Sequence, residues 1–302
     1  MTICVGILVN DCLVFAADSA VTLSYGSDEK GAEIVNVLPH GNKVFNLHRD
    51  LPICAMTCGL GNIGAESISS LAKDLRILLM DTDSEFGLDP ETYTIEQVAK
   101  NTRAFLFEQK YNVLESKPQS DLSFYVGGYS SGSGAPEIWL VTINAHAGSS
   151  PEPQRLSEGG GLVWGGQPEA INRLVSGIGI NHAAVLRNAG LDDPVVQRVS
   201  DALAAGMQMP FLHAAMPVQD AIEFADFLVE TTKRFVRFLP GADTVGGDTD
   251  IAVVTKHEGF KWARRKHFFS ASLNPTEVSY GARYPVEKGK RGHAAQERAV
   301  DA

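Results

Sequence analysis

The first nineteen residues constrain the fold more than any other stretch. Ile3 to Val9 and Leu13 to Ala17 are two short β-rich runs flanking a polar turn at Asn10-Asp11, the pattern of a hairpin. Chain starts fray unless something ties them down, so a strand this early implies that the first residues are held in a sheet. Thr2 follows Met1 and is small enough for the initiator methionine to be trimmed, leaving a threonine with a free α-amine. A hydroxyl is a poor nucleophile until a base takes its proton, and an α-amine with a reference pKa of about 7.7–8.0 can do so near neutrality. Thr2 is therefore a candidate nucleophile that carries its own base. The plainer reading is that a β-branched residue starts a strand.

The run Thr-Ile-Cys-Val-Gly-Ile-Leu-Val-Asn-Asp-Cys-Leu-Val-Phe-Ala-Ala-Asp-Ser-Ala, residues 2–20, resembles the start of proteasome β-type subunits. That family includes the bacterial proteasome-like peptidases and the stand-alone ancestral-β type called Anbu. The resemblance is specific in the first twenty residues and looser to about Trp262. It implies an N-terminal-nucleophile (Ntn) hydrolase with a four-layer αββα sandwich, an α+β fold in which two antiparallel sheets face each other between helix layers. It also implies roles for particular residues. Asp18, sixteen residues after Thr2, would orient a lysine beside the nucleophile. That lysine is Lys43, directly before the apolar run Val44-Phe45-Asn46-Leu47, or Lys30, which has the nearer spacing but lies in a polar connector. A cation there would depress the pKa of the amine and hydroxyl. Gly59 would offer its backbone N–H to the oxyanion. Two positions depart from the family pattern. Gly165-Gly166-Gln167 stands where the family has a serine in a Gly-Ser turn, and Asp243-Thr-Val-Gly-Gly247 only approximates its aspartate–serine–glycine segment. Asp243 can take the aspartate's role, whereas Gln167 offers an amide in place of a hydroxyl.

Composition bounds the alternatives. The chain has 302 residues, 44% hydrophobic and 21% charged, enough for one large globular domain with a full core. No run of eighteen apolar residues suggests a membrane span, and no basic region leads into an apolar run as in a signal peptide. The expectation is a cytoplasmic protein. A net charge of −10 argues against nucleic acid as the main partner. From Lys256 onward there are ten Lys/Arg against five Asp/Glu, so the preceding part carries about −15. Cys4, Cys12, Cys54 and Cys58 sit in or beside apolar runs and read as buried reduced thiols. Cys54-x-x-x-Cys58 has no second ligand pair after it, so neither a metal nor a cofactor is expected.

Beyond the hairpin, residues 21–42 read as a connector ending in a short strand at Ile34–Leu38. Val44–Leu47 and Ile53–Thr57 form a second hairpin-like pair. Amphipathic spacing predicts helices over 63–80 and 94–114, the second opening on the capping box Thr94-Ile-Glu-Gln97. Strands are expected at 123–129 and 138–143, and around Leu162-Val-Trp164. Helical spacing recurs at 168–176, 194–207 and 218–238, then a strand at 251–255. Residues 1–269 are expected to form the Ntn-hydrolase domain and 270–302 a basic extension, partly disordered. The eight histidines fall in segments read as loops or helices, which leaves a Ser-His-Asp triad unsupported.

The function this suggests is threonine-type hydrolysis of amide bonds, most simply of peptides or proteins, in a self-assembled homo-oligomer, either a ring or an open helix. Amide transfer to an acceptor amine and a non-catalytic assembly subunit are the alternatives, and an ATPase partner is left open.

Overall fold

The computed structural model describes residues 2–25 and 33–266. Lys30 and the expected extension at 270–302 lie outside the described residues. The chain divides into one unit, Met1–Lys266, and a second, His267–Ala302; every strand and helix described belongs to the first.

The strands are β1 (Ile3–Val9), β2 (Cys12–Ala17), β3 (Val21–Tyr25), β4 (Glu33–Leu38), β5 (Val44–Asn46), β6 (Ile53–Gly59), β7 (Asn62–Ile63) and β8 (Glu66–Ser67). Then come β9 (Leu122–Gly128), β10 (Glu137–Ile143), β11 (Gln154–Glu158), β12 (Gly161–Gly166), β13 (Asp250–Thr255) and β14 (Gly259–Arg264). The helices are α1 (Ile68–Met80), α2 (Ile95–Arg103), α3 (Glu169–Ile171), α4 (His182–Asn188), α5 (Asp193–Met207) and α6 (Val218–Arg237). Two five-stranded antiparallel sheets dominate, ordered β12-β1-β2-β13-β14 and β11-β10-β9-β6-β5.

The side-chain period of two explains how these elements pack. On β1, Ile3, Val5, Ile7 and Val9 enter one cluster with Ala221, Ala225, Leu228 and Val229 of α6. Cys4 and Leu8 point the other way, into a cluster with Cys54 and Met56 of β6 and Tyr125 of β9. The second sheet sends Ala55, Phe124 and Val126 to its opposite side, against Leu71 and Leu75 of α1 and Val98 of α2. Strands buried on both faces read as continuous apolar runs, and β1 and β2 are fully buried along their length.

Several boundaries differ from expectation for identifiable reasons. The predicted helix over 63–80 starts only at Ile68. Gly64 turns at φ 59°, β7 and β8 pair across it, and the Ser67 side chain accepts from the Ser70 N–H to cap the helix. The helix over 94–114 is α2 followed by a π-helical stretch at Ala104–Tyr111, and Thr94 does cap it, accepting from the Gln97 N–H. Part of the supposed connector is a hairpin of β3 and β4. β11 and α4 were not anticipated, because β11 is largely polar and α4 is only seven residues long and buries none of them.

Candidate active site

Thr2 enters β1, an interior strand paired to β12 on one side and to β2 on the other, and only 6% of its surface is exposed. Its carbonyl accepts from the Gln167 N–H at 2.7 Å. Gly166 makes that approach feasible: its φ is 93°, and a Cβ there would collide with the Thr2 carbonyl. Glycine at position 166 thus has a steric reason.

The β1–β2 register sets Cys4 against Ala17, which carries Asp18 alongside Ile3. The Asp18 N–H donates to the Ile3 carbonyl at 3.2 Å, and the Ile3 N–H donates to Asp18 Oδ1 at 3.0 Å. Oδ2 accepts from the N–H groups of Ala20 at 3.1 Å and Gly246 at 3.0 Å. Lys43 Nζ completes the shell, 2.7 Å from Oδ1. Both charges are buried. Such a pair persists only when its geometry and hydrogen bonds offset the cost of removing the ions from water; here the carboxylate has four donors. Burial pulls the Lys43 ammonium below the usual lysine range, and the Asp18 carboxylate opposes that pull. Lys43 immediately precedes β5, as the sequence implies.

Thr2, Lys43, Cys58 and Gly59 line one cavity of about 390 Å³, with Thr22, His40 and Ser69 also on its walls. That volume lies in the range of small-ligand clefts. Gly59 ends β6 at φ 93°, and a Cβ there would strike the Asp121 carbonyl. The Cys58 thiol packs toward Gly165, as does the Cys4 thiol, 3.6 Å from the Gly165 carbonyl. The Cys4 thiol beside it lowers Cys58, with burial opposing, while burial raises Cys4 and Tyr125. All four cysteines are free and buried. Among the described residues no group of His, Cys, Asp and Glu side chains is arranged to hold a metal ion.

The chain matches no protein-family model and none of the curated proteins. Solved structures do resemble it. A subunit from the helical assembly of the Anbu complex of Pseudomonas aeruginosa is 17% identical, with 89% of this chain and 88% of that one covered at a TM-score of 0.49. A Gly-1 mutant of Anbu from Hyphomicrobium sp. strain MC1 is 13% identical, with 90% and 88% covered at a TM-score of 0.48.

Four of the five residues singled out from the sequence come together: Thr2, Lys43 and Gly59 on the cavity wall, and Asp18 behind Lys43. Asp243 does not join them. It is exposed and off the cavity wall; its segment reaches the site through the Gly246 N–H on Asp18 instead. Sequence reasoning also missed Ser19, Asp250 and Lys266, all buried. Lys266 sits in a basic run, Arg264-Arg265-Lys266-His267, whose charge reads as solvated; the structure instead buries it against Asp250.

Proposed function

We propose that this chain is a threonine-type Ntn amide hydrolase, its paired sheets and flanking helices forming the αββα sandwich of that class. The observation that carries the reading is the buried Lys43–Asp18 pair at 2.7 Å on a cavity whose wall also holds Thr2 and Gly59. With Met1 removed, the Thr2 α-amine accepts the proton of its own hydroxyl as Oγ attacks the substrate carbonyl. The Gly59 N–H stabilises the oxyanion, a kind of contribution worth roughly 3–4 kcal/mol. The tetrahedral adduct collapses to an ester on Thr2 Oγ, and the departing amine takes the proton. Water then attacks the ester, releasing the acid and returning the proton to threonine. Lys43, its charge balanced by Asp18, holds a positive potential beside the reacting atoms. Peptides or proteins are the simplest substrates, and a homo-oligomer of this chain is the working form.

The test joins intact mass with a peptide epoxyketone, an electrophile that engages both the hydroxyl and the α-amine of a terminal threonine. The expected result is a chain beginning at Thr2 that gains one probe mass on that residue, while Thr2→Ala gains none and keeps its fold. One hydroxyl and one methyl on a cavity wall matter little to stability, whereas loss of the hydroxyl removes the covalent step. Quantitative retention of Met1, or labelling that survives Thr2→Ala, would overturn the reading. Gln167 in place of the family's serine supports a second reading, a subunit that assembles without turnover; absence of labelling on a trimmed chain would favour it.

A further inference from the structure

A second buried ion pair lies behind the first, outside the cavity. Lys266 Nζ contacts the Asp250 carboxylate and donates to Ser19 Oγ at 2.8 Å, and the Lys266 N–H donates to Asp250 Oδ1 at 3.0 Å. Both side chains are almost wholly enclosed, 3% and 4% exposed. Because an ammonium can only donate, it occupies a Ser19 lone pair. The Ser19 hydroxyl proton then goes to the Asp248 carbonyl, at 2.6 Å.

Ser19 is the junction through which this second pair touches the first. Its N–H donates to the Gly246 carbonyl at 3.0 Å, and its carbonyl accepts from the Gly41 N–H at 2.7 Å. Gly246 in turn donates to Asp18 Oδ2, and Gly41 lies two residues before Lys43. Further along, the Thr249 hydroxyl donates to Glu230 of α6 at 2.7 Å, and Lys233 donates to the same carboxylate at 2.6 Å. The segment from Gly246 to Asp250 is therefore fixed at one end by Asp18 and at the other by α6 and Lys266.

We propose that Lys266, clamped by Asp250 onto Ser19, is a positioning residue that sets the geometry of the Asp18–Lys43 pair. It touches no reacting atom. Its role is to hold the Ser19 backbone so that Gly246 reaches Asp18 and the turn through Gly41 delivers Lys43 to the same carboxylate. The proposal deepens the hydrolase reading and rests on it for its kinetic consequences alone; the geometric ones stand apart.

Lys266→Met leaves Asp250 buried and unpaired, which destabilises the fold, so that variant alone confounds stability with positioning. Lys266→Met/Asp250→Leu removes both charges, a replacement that is often neutral or stabilising, yet it still strips Ser19 of its donor. Lys266→Arg keeps the charge with a different shape. The four proteins, wild type included, are compared as full chains by thermal unfolding, by epoxyketone inactivation, and by the NMR titration of the Lys43 side chain in protein labelled at the lysine ε-carbon. The titratable groups facing Lys43 are Asp18, Cys4 and Cys58, with His40 and, in the trimmed chain, the Thr2 α-amine on the same cavity wall, and all are retained in every variant.

In the double variant, near-normal unfolding is expected together with a Lys43 midpoint lower than in wild type, because its compensating carboxylate is less well placed. The maximal inactivation rate falls at least tenfold while the probe concentration for half-maximal rate stays within twofold; Lys266→Arg lies between the two. A double variant that unfolds normally, with the wild-type Lys43 midpoint, would overturn the proposal, as would wild-type inactivation kinetics. If the double variant fails to fold, the decision passes to Lys266→Arg, where an unmoved Lys43 midpoint overturns it and a lowered one supports it. Should wild type itself resist the probe, the hydrolase reading falls, and the Lys43 midpoint still decides the positioning role.

Discussion

Lys43 was the least secure residue to assign from sequence, because Lys30 has the nearer spacing to Thr2. The structure joins Lys43 to Asp18, and Lys30 lies outside the described residues. Lys43→Ala is expected to slow Thr2 inactivation by the epoxyketone on the order of 10²–10³-fold, the scale of other removed site groups. Lys43→Arg should recover little, since a planar guanidinium does not replace a compact ammonium, and Lys30→Ala should stay within a few-fold of wild type. The opposite ranking would hand the role to Lys30. The same lysine leaves a mark on stability. Its folded pKa lies below the unfolded value of about 10.4. Between those two values the unfolded chain binds more protons, so stability rises with pH. Burial of Cys4, Cys54 and Tyr125 pulls stability the other way over the same range, so the lysine's share is read as a difference: wild type should gain on Lys43→Met in denaturant unfolding as pH rises through that window. Asp18 was legible because a motif names it; Asp250 and Lys266 were not. A buried pair more than a dozen residues apart leaves no local pattern, and a lysine inside a basic run reads as solvated until its partner is seen.

At the scale of elements, the apolar strands declared themselves and the irregular pieces did not. β1, β2, β6, β9 and β10 are apolar runs bounded by turn residues, and the Thr94 cap marked where α2 begins. β11 and α4 have little buried surface, so no periodicity reveals them. The π-helical stretch that ends the second helix is equally hidden, since its residues keep helical spacing. β12 offers the sharpest test of an element in its role at the site. Gly166→Ala puts a methyl group against the Thr2 carbonyl at a backbone angle that L side chains rarely adopt. It should lower the melting temperature and also slow labelling of Thr2 in the protein that remains folded. Unchanged labelling in the folded fraction would show that β12 does not set the position of Thr2.

For the whole molecule, self-association is the expectation that a single chain leaves open. Light scattering at micromolar concentration should read a mass well above that of one chain, and a strictly monomeric mass would count against the assembled form. The packing of α6 against β1 gives the corresponding stability test. Leu228 is fully buried in that contact, so Leu228→Ala should cost about 2–5 kcal/mol in denaturant unfolding. The paired sheets were foreseen in outline because strands, helices and strands succeed one another along the chain. Which strands become neighbours was not, since β1 finds β12, and β2 finds β13, across long separations. That separation has a consequence for synthesis. Asp18 and the Gly246 amide that holds it are 228 residues apart. At about 5–20 residues per second, the carboxylate leaves the ribosome roughly 10–50 s before its last donor is made. On the hydrolase reading, Thr2, Asp18 and Lys43 are all made early, but the Asp18 shell stays incomplete until Gly246 is added, so full reactivity is expected only once the polypeptide is nearly complete.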